Sequence, residues 1–276
     1  MVEALQNNPF LLMALLAGLA ASVTSGIVGA FVVIKRIVFL SGSIAHSVLG
    51  GMGLCLYLKR SYGIEWITPM QGALASALIA ALLIGWIHLR YREREDTVIA
   101  AIWATGMSLG VIFISLTPGY NVELLNYLFG NILWVSKSDI ALLFGLDLLV
   151  ILIVALFRHR FLAICFDETQ SWLQKVPVQG LYMLLLCLIA LSVVLLIQVV
   201  GAILIIAMLA IPAALASQMT GRFLPLMGLA VLIGAAVTVT GTTCSYLLNW
   251  PPGATIALTA AVLYLLSFSV RPKTTG

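Results

Sequence analysis

Charge is scarce in this sequence. Only 9% of its 276 residues are Asp, Glu, Lys or Arg, whereas 62% are hydrophobic. A soluble domain carries roughly 25% charged residues to solvate its surface, so a water-soluble fold is excluded and lipid must be the solvent. With a mean hydropathy of +1.15, the chain is best counted in spans of about 20 apolar residues. Cysteine is sparse too: Cys55, Cys165, Cys187 and Cys244 stand far apart, without the spacing of a zinc clip or a disulfide framework. Three of them lie in apolar runs, where a thiol behaves as a small hydrophobe. No phosphate-cradling loop of the Gly-x4-Gly-Lys-Ser/Thr kind occurs, so any ATP must be hydrolysed by another chain. Linkers, low-complexity tracts and clear repeats are also missing. The chain reads as one membrane domain over residues 1–276.

What is present is a series of apolar runs near 10–34, 39–58, 70–89, 97–116, 139–157, 180–198, 200–218, 224–247 and 254–270. The first has no basic stretch before it and is too long for a signal peptide, so it is a span. The runs 180–198 and 200–218 share almost no connector, and one of them can be partial, which leaves eight or nine spans. Leu124 to Val135 is too short to cross and reads as a re-entrant or surface helix. The net charge of +4 comes from clusters between runs: Lys35-Arg36, Arg90 to Arg94, Arg158 to Arg160, Arg222, and Arg271 to Lys273. Placing all of these in the cytoplasm satisfies the positive-inside rule and puts the N-terminus, Pro118 and Pro252 outside. Only Lys59, Arg60 and Lys137 then fall on the outer side. The membrane, not a nucleic acid, explains the basicity. The one long polar interruption, 158–179, carries Phe166-Asp167-Glu168 and forms a cytoplasmic surface segment in which Asp167 can cap a helix.

Few residues could carry chemistry. His46 lies in Ser41-Gly42-Ser43-Ile44-Ala45-His46-Ser47-Val48-Leu49-Gly50, with Gly42, His46 and Gly50 on one helical stripe. Such small residues let a neighbouring helix approach closely. An imidazole at that depth is either a ligand on an ion path or a hydrogen-bonding group in a glycine-packed seam. Asp147 is the one carboxylate well inside an apolar run, and it marks a pathway or pairs with a buried donor. His88 and His159 flank basic clusters as interfacial residues. Pro212 interrupts the hydrogen bonding of an otherwise ideal helix, freeing a carbonyl near Met208. Ser43 and His46 lack the third partner and the sequence context of a hydrolase, so no covalent chemistry is expected.

Four segments together resemble the permeases of zinc and manganese importers of the ATP-binding-cassette class. They are Lys35-Arg36 with Phe39 to Gly51, Ala101 to Gly110, Pro118-Gly119-Tyr120 with Tyr127 to Leu133, and Val200 to Ala214. The resemblance implies an all-α membrane bundle acting as a homodimer, with two cytoplasmic ATPase subunits and an extracytoplasmic metal-binding protein. It implies no cofactor on this chain, ATP being hydrolysed by the partner. It implies a cytoplasmic (inner) membrane location, Zn²⁺ or Mn²⁺ as cargo with Fe²⁺ less favoured, and His46 as a transient metal ligand. Phe166, Asp167 and Glu168 correspond to the start of the ATPase-docking region, where Ser171 and Lys175 replace an expected alanine and glycine. Many members carry an aspartate four residues before the histidine; here that residue is Gly42. The alternatives are a permease for iron-siderophores or cobalamin, and an ATP-independent secondary transporter, which would need more intramembrane charge than Asp147 and His46 supply.

Overall fold

The structure, a computed structural model, describes residues 9–91, 95–119 and 136–270. Its elements are α1 (Pro9–Ile34), α2 (Val38–Tyr62), α3 (Pro69–Tyr91), α4 (Glu95–Leu116), α5 (Lys137–Phe166), α6 (Glu168–Leu173), α7 (Val178–Val200), α8 (Ala202–Met219), α9 (Phe223–Leu248) and α10 (Pro252–Val270). No strand occurs among the described residues. In hydrocarbon a helix satisfies every backbone group within its own segment, which is why an apolar chain of this length becomes a bundle. The readings made on Arg92, Arg94, Leu124 to Val135 and Arg271 to Lys273 fall outside the described residues.

Among the described residues eight helices are long and apolar enough to cross a membrane, all but α6 and α8. The 18 residues of α8 cover about 27 Å at ~1.5 Å per residue, slightly less than the ~30 Å hydrocarbon layer. Gly201 alone separates it from α7, at φ +85° and ψ 159°, a backbone conformation essentially confined to glycine. The choice between eight and nine spans therefore turns on α8, the shorter member of the pair without a connector. It runs on through Pro212 to Met219.

The basic clusters gather at one end of the bundle. Phe31, near the end of α1, packs edge-on against Phe161 of α5 at 5.7 Å between ring centroids and against Phe223 of α9 at 4.8 Å. Lys35 sits 5.3 Å from the Tyr182 ring at the start of α7, and the His88 ring of α3 lies 5.4 Å from the same tyrosine. Lys35-Arg36, Arg90, Arg158 to Arg160 and Arg222 thus share the end that the positive-inside rule places in the cytoplasm. At the opposite end, Arg60 donates from Nη1 to the Pro118 carbonyl at 3.3 Å.

Local closures set the turns between spans. Arg36 takes φ +63°, while the Arg36 and Ile37 N–H groups donate to the Val33 and Val32 carbonyls at 3.1 and 3.0 Å. This Schellman closure satisfies carbonyls at the end of α1 and lets α2 start at once. Inside the bundle α1 is central, packing against α5, α7, α8 and α9. Gly26 permits the approach: a Cβ there would stand 2.6 Å from the Val231 backbone nitrogen of α9.

Candidate functional site

α2 and α4 pack side by side in the same direction along a seam of small residues. The Ser43 hydroxyl donates to the Ile99 carbonyl at 2.9 Å, and Ser47 reaches the Ile102 carbonyl at 3.4 Å besides bonding the Ser43 carbonyl of its own helix at 2.8 Å. Further along, a Cβ on Gly50 would lie 2.9 Å from the Gly106 carbonyl oxygen, and one on Gly53 would lie 3.1 Å from that of Gly110. The partners climb both helices together, as two spans crossing the same way require. Backbones this close are what small side chains allow in a membrane, where packing replaces the hydrophobic driving force. The Ser43 hydroxyl is bound to this seam and not to His46.

His46 stands beside the seam, eight residues into α2 and so about 12 Å from its cytoplasmic end. Its ring is half-buried and stacks on the Trp103 indole of α4, with centroids 4.7 Å apart and planes 16° apart. Trp103 also covers Gly42: a Cβ at position 42 would meet Trp103 Cζ3 at 3.2 Å, Cη2 at 3.5 Å and Ile206 Cδ1 of α8 at 3.8 Å. The indole therefore fills the space one turn before His46. Among the described residues no group of three or more His, Cys, Asp or Glu side chains is placed to hold a metal ion. Trp103 belongs to the Ala101 to Gly110 segment, but its meeting with His46 depends on how α4 lies along α2.

Asp147 belongs to a different interface. It is buried in α5 with 6% of its surface exposed, and its Oδ1 accepts from the Thr24 backbone N–H at 3.1 Å and from the Thr24 hydroxyl at 2.5 Å. Thr24 is in α1, so the carboxylate clamps α5 to the central helix. Of the two sequence readings, the paired carboxylate is the one the geometry favours.

The cytoplasmic segment forms a short capped helix. The Asp167 side chain accepts from the Gln170 N–H at 2.9 Å as the N-cap of α6, whose first residue is Glu168. Ser171 is buried and donates to the Asp167 carbonyl at 2.7 Å, so a hydroxyl is accommodated where alanine is expected. Lys175 takes φ +58°, with its N–H on the Trp172 carbonyl at 3.0 Å and the Val176 N–H on that of Ser171 at 3.1 Å. That Schellman closure explains why glycine is expected there. The result is an outward platform: Phe166, Trp172 and Leu173 are 72, 71 and 70% exposed. Trp172 and Leu173 lie within the polar stretch 158–179 that reads from the sequence as a cytoplasmic surface segment.

The chain matches the model of the ABC 3 transport family over residues 7–271. It is 46% identical over 263 residues to a "probable metal transport system membrane protein" of Chlamydia pneumoniae, covering 95% of this chain and 89% of that protein. It is 31% identical over 271 residues to the manganese transport system membrane protein MntC of Halalkalibacterium halodurans, covering 98% and 90%. Among solved structures it superposes on PsaBC from Streptococcus pneumoniae, solved in complex with Fab, with a TM-score of 0.84 and 31% identity, covering 99% of this chain and 95% of that one. A metal-chelate type ABC transporter in an inward-facing conformation shares the fold at a TM-score of 0.69 and 16% identity. With one family spanning nearly all of a helical bundle built for lipid, this multi-pass protein of the bacterial inner membrane belongs to the ABC 3 transport family.

Proposed function

We propose that this chain is the permease of an ATP-binding-cassette importer that moves divalent metal ions, Zn²⁺ or Mn²⁺ and less readily Fe²⁺, into the cytoplasm. It works as a homodimer with cytoplasmic ATPase subunits and an extracytoplasmic metal-binding protein. It binds no cofactor and performs no covalent chemistry, and ATP is hydrolysed by the partner. The observation that carries the reading is His46, a half-buried imidazole well inside a span, in a chain 31% identical over 98% of its length to a manganese transport system protein. Imidazole is a good ligand for borderline ions such as Zn²⁺ and a usable one for Mn²⁺.

The dimer reading is supported by α4. Among the described residues it is the least covered of the eight candidate spans, and it leaves Thr97, Ala101, Ala104, Thr105 and Ser108 exposed on the side facing away from the α2 seam. Small residues on a lipid-level face favour another helix as neighbour. Docking of the ATPase is assigned to Phe166, Asp167 and Glu168 together with Trp172 and Leu173. In this arrangement Asp167 acts through the cap that holds α6, and the exposed apolar side chains supply the contact.

The test is uptake of ⁶⁵Zn²⁺ and ⁵⁴Mn²⁺ by cells or proteoliposomes holding the complete transporter with His46→Asn or His46→Gln. An amide is a poor ligand for these ions, so uptake should fall at least tenfold at unchanged assembly. Full uptake by both variants would leave His46 as a packing residue.

A further inference from the structure

The position one turn before His46 is closed by a side chain from another helix, and this has a chemical consequence. Three observations fix it. The Trp103 indole is stacked on the imidazole at 4.7 Å and 16°. A Cβ on Gly42 would stand 3.2 Å from Trp103 Cζ3, closer than ordinary van der Waals contact, so any side chain at this position crowds the ring. The α4 backbone that carries the ring is held against α2 on the same stretch by the bonds from Ser43 to the Ile99 carbonyl and from Ser47 to the Ile102 carbonyl, so the ring can yield only by turning about its own side-chain bonds. Gly106 leaves no slack either: a Cβ there would lie 2.5 Å from Ser47 Cα.

We propose that Trp103 is a specificity-determining residue of the ion path: it orients the His46 imidazole by stacking and occupies the space into which a side chain at position 42 would extend. The proposal rests on the reading of His46 as a ligand. An ion at this point then meets the His46 nitrogen with, among the described residues, no carboxylate one turn away on α2. Borderline Zn²⁺ tolerates such a set, whereas harder Mn²⁺ and Fe²⁺ gain more from carboxylate oxygen. Trp103 thus biases passage towards ions that accept imidazole without an anionic partner. Asp147 is bound to Thr24 at the α1–α5 interface and does not reach this seam.

The experiment compares Gly42→Asp, Trp103→Ala, the double variant and His46→Asn in the complete transporter, with Zn²⁺ and Mn²⁺ in direct competition. The readout is the Mn:Zn uptake ratio relative to wild type, so the contribution of the external binding protein cancels. Gly42→Asp alone should move the ratio less than about threefold, because the ring holds the carboxylate off. The double variant should move it towards Mn²⁺ by about tenfold, the equivalent of ~1.4 kcal/mol of differential binding. Trp103→Phe, which keeps an aromatic face over His46, should hold the wild-type ratio within about twofold (~0.4 kcal/mol). Co-purification with the ATPase verifies assembly, and Trp103→Leu replaces the alanine variant wherever assembly falls. A full shift with Gly42→Asp alone, or none in the double variant, would overturn the role of Trp103. Wild-type uptake by His46→Asn would instead remove the underlying ligand reading, whatever the ratios show.

Discussion

Replacing Trp172 with alanine removes the largest side chain of the α6 platform, and the structure sets the size of the effect. Trp172 is 71% exposed, and a tryptophan buries roughly 150–250 Å² when covered, so an ATPase seated on α6 would bury about 150 Å² more of it. At ~25 cal/mol per Å² that is about 3.5 kcal/mol. Ordering of side chains at the contact subtracts about 1 kcal/mol, leaving roughly 2–3 kcal/mol, or about 30- to 150-fold in Kd. Asp167→Asn is the informative control, since asparagine caps as well as aspartate while the charge is lost; it should change Kd less than about threefold (~0.6 kcal/mol). Asp167→Ala removes the cap itself, loosens α6 by ~1 kcal/mol and should weaken association about fivefold. Biolayer interferometry of the nanodisc-embedded permease against its isolated ATPase gives all three constants. If Trp172→Ala binds within threefold of wild type while Asp167→Asn loses most of its affinity, docking is electrostatic and the reasoning from the apolar platform fails.

The clamp between α5 and α1 gives a stability prediction. Thr24→Val removes the hydroxyl donor to Asp147 and leaves only the backbone N–H, so unfolding in mixed micelles should show a loss of about 1–2 kcal/mol with uptake per folded transporter unchanged. Abolished uptake at unaltered stability would return Asp147 to the ion path. Topology can be checked in a cysteine-free background: a cysteine at Arg158 should label only from the cytoplasmic side and one at Pro252 only from outside. External labelling at position 158 would invert the orientation.

The sequence by itself determined the properties that depend on neighbouring residues and on solvent. A chain with 9% charged residues has lipid as its only workable solvent, and the spacing of its basic clusters orients the spans because each cluster pays its own cost of crossing. The stripe of Gly42, His46 and Gly50 follows from helical periodicity, and the Asp167 cap from its local bonding to Gln170. The tertiary structure decided whatever depends on which distant helix lies alongside. Asp147 could mark a path or make a pair, and its partner Thr24 lies 123 positions away. Position 42 looks like a vacancy beside His46 in one dimension, but α4 delivers the Trp103 ring into it across 61 residues. Helix periodicity tells which side chains share a face, whereas the register between two helices comes from small-residue packing along the whole seam. That register converts a lone histidine into a stacked and screened one.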